Sequence, residues 1–197
     1  GGHAAMPQLS IDPIIIASEI ISSIQTIISR SKNPIDKALI SITKIQGGTA
    51  YNVIDDNVKF GGTIRSFQPE TRSFIAKRIE EISKGVAYAH GAEAEIDFDL
   101  INKYPPTINH IKQSKFAAQV AKNMVGDENV NTDVNPSMGG EDFSYLLNEK
   151  PGSYLYIGQM DEDHKASLHT TKYDFNDNLL PIGVNFWVNL VKNFFEK

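Results

Sequence analysis

Two histidines near opposite ends of this chain, with an arginine and an asparagine between them, are the residues best suited to chemistry. His169 stands in the run Leu168-His169-Thr170-Thr171-Lys172-Tyr173-Asp174-Phe175-Asn176-Asp177, behind an acidic loop. A neutral imidazole there suits zinc, manganese or nickel. A surface histidine in a loop accounts for the same pattern, and one imidazole falls short of the three or four ligands a metal site needs. His164 lies five residues earlier, after Asp161, Glu162 and Asp163; such an acidic run is more often a solvated loop than a ligand set. His3 sits between Gly2 and Ala4-Ala5, whose small size lets substrate or backbone come close. It can donate to a developing oxyanion or make a structural hydrogen bond at a strand end. Arg65 carries the planar guanidinium best suited to gripping a carboxylate at two points, or else it is a strand arginine paired with Glu70. Asn52, after Gly47-Gly48-Thr49-Ala50-Tyr51, offers either turn chemistry or an amide to a substrate. Glu141-Asp142 follow Gly139-Gly140 at a helix start, where capping and the helix dipole explain them without a catalytic role.

The elements that must position these groups follow from spacing. Ser10 is placed to cap a helix, with Asp12 in its first turn and Pro13 tolerated there. Ile14, Ala17, Ile20, Ile21, Ile24, Ile27 and Ile28 then recur at helical spacing, up to Asn33-Pro34. Isoleucine is a mediocre helix former, so packing must hold this helix. Residues 39–45 alternate as a strand, and 58–67 form another, with Gly61-Gly62 marking a bulge or a close approach. Pro69 opens a second helix with Phe74, Ile75, Ile79, Ile82 and Val86 on one face and Gly91 as its stop. Residues 94–100 alternate again. With residues 1–5 as a strand edge, the order is β-α-β-β-α-β, the ferredoxin-like pattern of a four-stranded antiparallel sheet under two helices.

Tyr104-Pro105-Pro106-Thr107 reads as a linker. Beyond it the spacing predicts a helix over 111–125 closed by Gly126, a strand over 130–134, a short helix over 141–147, a buried strand over 153–157 and a last helix over 180–195. Ile182, Phe186, Leu190 and Phe194 in that helix are spaced for burial. The fold class is therefore α/β: an α+β domain over residues 1–103, then a layered α/β unit over 104–197. About ninety residues is thin for such a unit, and its other half is expected to lie outside this chain.

Composition sets outer limits. Apolar residues make up 41% and charged residues 22%, ordinary for a globular protein. A net charge of −5 leaves no electrostatic footprint for nucleic acid or anionic membrane. With no cysteine, disulfides and thiolate sites are excluded within these residues, and a reducing, cytoplasmic setting is compatible. The most apolar stretch, residues 11–28, is interrupted by Asp12, Pro13, Ser18, Glu19 and other polar groups, so no membrane span is expected.

Taken together, the motifs are more specific than any one of them. Gly2-His3-Ala4-Ala5-Met6-Pro7, Ser10-Ile11-Asp12-Pro13, Gly47-Gly48-Thr49-Ala50-Tyr51-Asn52-Val53-Ile54 and Gly61-Gly62-Thr63-Ile64-Arg65-Ser66-Phe67 follow in order. Tyr104-Pro105-Pro106-Thr107, Met138-Gly139-Gly140-Glu141-Asp142-Phe143 and the His169 segment complete the series. Over essentially its whole length the chain resembles the aminoacylase and carboxypeptidase type of metallopeptidase. Within that group it is most similar to N-acyl-amino-acid amidohydrolases such as hippurate hydrolase and indoleacetyl-amino-acid hydrolase.

The resemblance implies an enzyme with two divalent metals (zinc, manganese or nickel) and an inserted lid domain that pairs with a second subunit as a homodimer. Residues 1–103 match the lid and 104–197 the C-terminal part of the catalytic domain. His169 then falls on the last metal ligand, and His3 on the lid histidine that polarises the scissile carbonyl in a partner's active site. Asn52 and Arg65 fall on lid positions that hold the substrate's carboxylate end. The implied reaction is hydrolysis of an N-acyl amino acid or short peptide by metal-activated water. The family's other ligands, in a His-Ala-Cys-Gly-His-type segment, and its Glu-Glu pair have no counterpart here. The chain alone is therefore expected to be inactive and to bind metal weakly. Gln8 and Asp55 depart from the histidine and proline common at those places. Two other classes are weighed: a non-catalytic dimerisation module of ferredoxin-like fold, and an RNA-binding sheet. The acidic charge and the lack of a basic-aromatic strand motif argue against RNA.

Overall fold

The structure, a computed structural model, describes residues 1–98 and 104–196. It divides into two compact units, Gly1–Pro106 and Thr107–Lys197.

The first unit is organised around α1 (Pro13–Thr26). Its cap is Asp12 rather than Ser10: Asp12 Oδ1 accepts from the Ile14 and Ile15 N–H groups at 2.9 and 3.4 Å. Ser10 is spent closing the 3-10 turn Pro7–Leu9, where its N–H bonds to the Pro7 carbonyl. A carboxylate at the cap also complements the positive end of the helix dipole. The helix runs on into a π turn, Ile27–Ser31. By length and composition alone, residues Pro13–Ser31 could cross a membrane. Here, however, Ile16, Ile20, Ile24 and Ile27 are buried in a core with Ile40, Ile75 and Ala87.

β1 (Gly2–His3), β2 (Ala38–Gln46), β3 (Val53–Ile54) and β4 (Lys59–Ser66) form two separate antiparallel ladders, β1 with β3 and β2 with β4. The register of the longer pair runs from Ala38 opposite Ser66 to Gln46 opposite Lys59. It shifts between Ile42 and Lys44, so the extra residue, Thr43, lies on β2 and the glycines face it from β4. Gly62 is there for close approach: a Cβ on it would lie 1.9 Å from the Ser41 carbonyl oxygen. α2 (Pro69–Ala89) covers the same core and stops at Gly91, whose φ of 72° suits glycine. Phe74, expected on its inner face, is 39% exposed.

The four-stranded sheet of the ferredoxin-like pattern is not complete among the described residues. Residues 94–98 alternate between half-buried and exposed, and Ala92 and Ala94 pack on the core, but their backbone joins no ladder. Positions 99 and 100 of that expected strand lie outside the described residues. Alternation reports which side chains turn inward; it does not supply a neighbouring strand.

The second unit contains α3 (Ile111–Val125), α4 (Phe143–Glu149) and α5 (Leu179–Phe195). Gly126, at φ 91°, closes α3 as expected. The strands expected over 130–134 and 153–157 are extended chain without a ladder. The Asn109 side chain takes the place of a neighbouring strand beside Tyr154, accepting from its N–H at 2.7 Å and donating to its carbonyl at 2.8 Å. Ala117, Val120 and Leu147 are buried. α5 corrects the expectation of a buried helix. Phe186 and Leu190 are half-buried, but Ile182 and Phe194 are exposed, and so are Val184, Trp187 and Val191. It meets α3 through the edge of Phe194 on Phe116, with ring centroids 6.3 Å apart.

Candidate functional site

In the first unit, the β1–β3 ladder brings together two residues that are far apart in sequence. His3 lies opposite Val53, and the Ala4 N–H donates to the Asn52 carbonyl at 3.0 Å. His3 and Asn52 thus share one rim of a cleft of about 820 Å³, which Gly47, Gly48, Thr49 and Lys59 also line. The loop between β2 and β3 is pinned by Thr49, whose hydroxyl donates to Asp55 at 2.8 Å. Gly48, at φ 83°, supplies the turn.

The orientation of His3 fixes its chemistry. Its Nδ1 accepts from the Ala5 N–H at 3.0 Å. In a neutral ring the proton then resides on Nε2, so the exposed edge of the imidazole is a donor. A preorganised N–H of this kind is what a developing oxyanion requires.

Arg65 is not part of this cleft. It is half-buried on β4 opposite Leu39, with Nη1 3.5 Å from the Ile64 carbonyl, and forms no ion pair with Glu70. Lys59, at the other end of β4, lines the cleft; six residues of strand put Arg65 about 20 Å further on.

In the second unit His169 is exposed and holds a left-handed backbone, φ 62°. For a non-glycine residue this costs on the order of 1 kcal/mol and persists only where the surroundings impose it. Thr170 steadies the turn, its hydroxyl donating to the Ser167 carbonyl at 2.9 Å. The acidic run is an organised loop. Asp161 Oδ1 accepts from the His164 ring at 2.7 Å and from the backbone N–H groups of Asp163 and His164. The His164 hydrogen bond and those N–H groups hold the Asp161 carboxyl below its ordinary value, and the Asp161 carboxylate raises His164. Asn176, buried, donates to Asp161 Oδ2 at 2.8 Å. Sequence reasoning passed over Asn176; an asparagine amid acidic residues was the one available signal.

The side-chain capping expected of Glu141-Asp142 is not made. Asp142 occupies the N-cap position of α4 without a side-chain cap. Burial is the main cause pushing the Tyr154 hydroxyl up, and its hydrogen-bonded neighbour Glu141 adds to it.

The profile of peptidase family M20/M25/M40 matches residues 8–193. The chain belongs to that family. Over 198 aligned positions this M20-family chain is 36% identical to IAA-amino acid hydrolase ILR1-like 4 of Arabidopsis thaliana, covering 98% of this chain and 45% of that protein. Identity to the hippurate hydrolase of Campylobacter jejuni is 31%, covering all of this chain and 50% of that protein. The crystal structure of the Bacillus subtilis YXEP protein, described as a dinuclear metal binding peptidase from the M20 family, aligns with a TM-score of 0.70 and 27% identity. That alignment covers 96% of this chain and 48% of that one. The chain spans about half the length of the curated relatives it matches.

Among the described residues no group of three or more histidine, aspartate or glutamate side chains could hold a metal ion. His169 is chemically fit to be one ligand of a metal, but the described residues by themselves do not fit a metal pair.

Proposed function

We propose that this M20-family chain is part of a metal-dependent amidohydrolase that cleaves the amide bond of N-acyl amino acids or short peptides. His169 serves as one metal ligand; the other ligands come from residues outside these 197. His3 donates from Nε2 to the oxyanion as the carbonyl is attacked. Asn52, on the same rim, helps to hold the substrate's carboxylate end. Arg65 grips the substrate's carboxylate. Its distance from His3 supports pairing of two copies through the first unit, so that one copy completes the other's site. The observation that carries the reading is the Ala5 N–H bonded to His3 Nδ1, which turns Nε2 outward beside Asn52 on an open cleft, in a chain of this family.

A chimera tests it. The matched half of the Campylobacter hippurate hydrolase is replaced by these 197 residues, and glycine release from hippurate is followed with zinc, manganese or nickel. Hydrolysis should be metal-dependent, abolished by His169→Ala and lowered about 100-fold or more by His3→Ala. A folded, metal-loaded chimera that is indifferent to both changes sinks the proposal. The 197-residue chain alone should show no turnover.

A second reading has one observation in its favour. Among the described residues the β2–β4 ladder has two strands whose outer edges are unpaired, which suits a dimerisation module without catalysis. Dimers of the chimera that bind no metal would favour it.

A further inference from the structure

The segment carrying His169 leaves and returns to the same place. Asn176 stands at that place. Its side-chain nitrogen donates to the Gln159 carbonyl at 3.1 Å and to Asp161 Oδ2 at 2.8 Å, at the start of the loop. Its side-chain oxygen accepts from the Asn178 N–H at 3.1 Å, and its carbonyl accepts from the Leu179 N–H at 3.0 Å, in the first turn of α5. One buried amide therefore ties both ends of the loop to each other and to a helix. Gln159 adds a second tie across the neck, accepting from the Tyr173 hydroxyl at 3.0 Å and donating to the Asp174 carbonyl at 3.1 Å. Between the ties, the chain from 162 to 172 is supported by local bonds, and His169 keeps its left-handed backbone at the exposed end.

We propose that Asn176 is a positioning residue for His169. With Asp161 it closes the neck of the 159–176 loop, and the closed neck holds the imidazole in one presentation. A short closed loop has few conformations, so the unfavourable φ of His169 is imposed by its ends rather than by contacts of its own side chain. An aspartate at 176 could not replace the amide, because it has no donor for Gln159 or Asp161. The functional meaning rests on reading His169 as a metal ligand. The neck itself is measured without metal, so failure of one reading is distinguishable from failure of the other.

The test uses the full chain. Asn176→Ala should shift the His169 ring resonances in the NMR spectrum. Lys165 and Lys172, both exposed within the loop, should be cut by trypsin about tenfold faster or more, since two to three hydrogen bonds that close the loop are lost. Exchange protection of the α3 amides should stay as in the parent, showing the unit still folded. Should Asn176→Ala unfold the unit, Asp161→Ala, which removes only a half-exposed carboxylate, is read in the same way. His169→Gly should leave trypsin resistance at Lys165 and Lys172 intact, because the neck is untouched. Unchanged His169 resonances with unchanged cleavage in a folded Asn176→Ala or Asp161→Ala chain would overturn the proposal. So would a loop that opens in His169→Gly.

Discussion

Replacing Gly62 by alanine should open the β2–β4 ladder on the strand that carries Arg65. The added Cβ would sit 1.9 Å from the Ser41 carbonyl oxygen and 2.8 Å from the Ile42 Cα. Real Cβ contacts stay above 3.0 Å, so the strands must part there by about 1 Å or more. Ladder hydrogen bonds stretched that far are effectively lost. Gly62 and Ser41 are exposed, so water takes up the freed groups and each lost bond costs about 0.5–1.5 kcal/mol; losing two should cost roughly 1–3 kcal/mol. Gly61 is the internal control, since a Cβ there meets nothing within 4 Å. Gly61→Ala should change stability by no more than about 0.5 kcal/mol, and in the stabilising direction if alanine's smaller unfolded-state entropy dominates. The assay is amide hydrogen exchange at Ile40, Ile42 and Ile64. Protection in Gly62→Ala should fall about fivefold or more. Amides of α3, in the second unit, should keep their protection. Unaltered protection in Gly62→Ala, or an equal fall in Gly61→Ala, would refute the close-approach argument.

Three further outcomes follow from packing, capping and charge. Ile75→Ala empties a fully buried site between α2 and α1 and should cost about 2–5 kcal/mol in chemical denaturation of the first unit. Asp12→Ala should cost about 1 kcal/mol and show as faster exchange at the Ile14 and Ile15 amides, whereas Ser10→Ala should leave α1 intact. The His164–Asp161 contact should make the 159–176 loop sensitive to pH in two directions. Asp161 is lowered from 3.8 by its hydrogen bond to His164, so its contribution is present above that value and is lost as pH falls through the lower native value. His164 is raised from 6.5 by the same bond, so its contribution is complete below 6.5 and is lost as pH rises through the higher native value. Asp163 and Asp174 reinforce the His164 shift. Trypsin cleavage at Lys165 should therefore be slowest relative to a His164→Gln chain between those two values. A flat ratio across pH would contradict it.

Much of the helical framework is legible in the sequence. α2, α3 and α5 begin and end within a residue or two of where proline, glycine and apolar spacing put them, because these are local signals. The strands divide. β2 and β4 are recognisable because alternation and a real partner coincide. Residues 94–98, 130–134 and 153–157 carry strand-like patterns but gain no ladder among the described residues, since alternation does not specify a partner. The two-residue β1–β3 ladder is too short to leave any pattern, although it is what sets His3 beside Asn52. The chemical candidates could be named from residue type and motif. The tautomer of His3, the remoteness of Arg65 from the cleft and the buried amide of Asn176 could not.

The sequence by itself determined the composition limits, the family resemblance and the identity of the groups that could act. Those depend on residue type and on spacing along the chain. Tertiary structure decided which of the groups meet and in what state. A strand partner fifty residues away fixes the surroundings of His3, and an amide seven residues downstream closes the loop that holds His169. Both effects are hydrogen bonds between groups whose approach depends on the folded path, and no spacing rule encodes that path. For the same reason α5 reads as a core helix in its apolar spacing yet lies largely exposed: a hydrophobic stripe states a need for cover, and only the fold shows whether the cover is there.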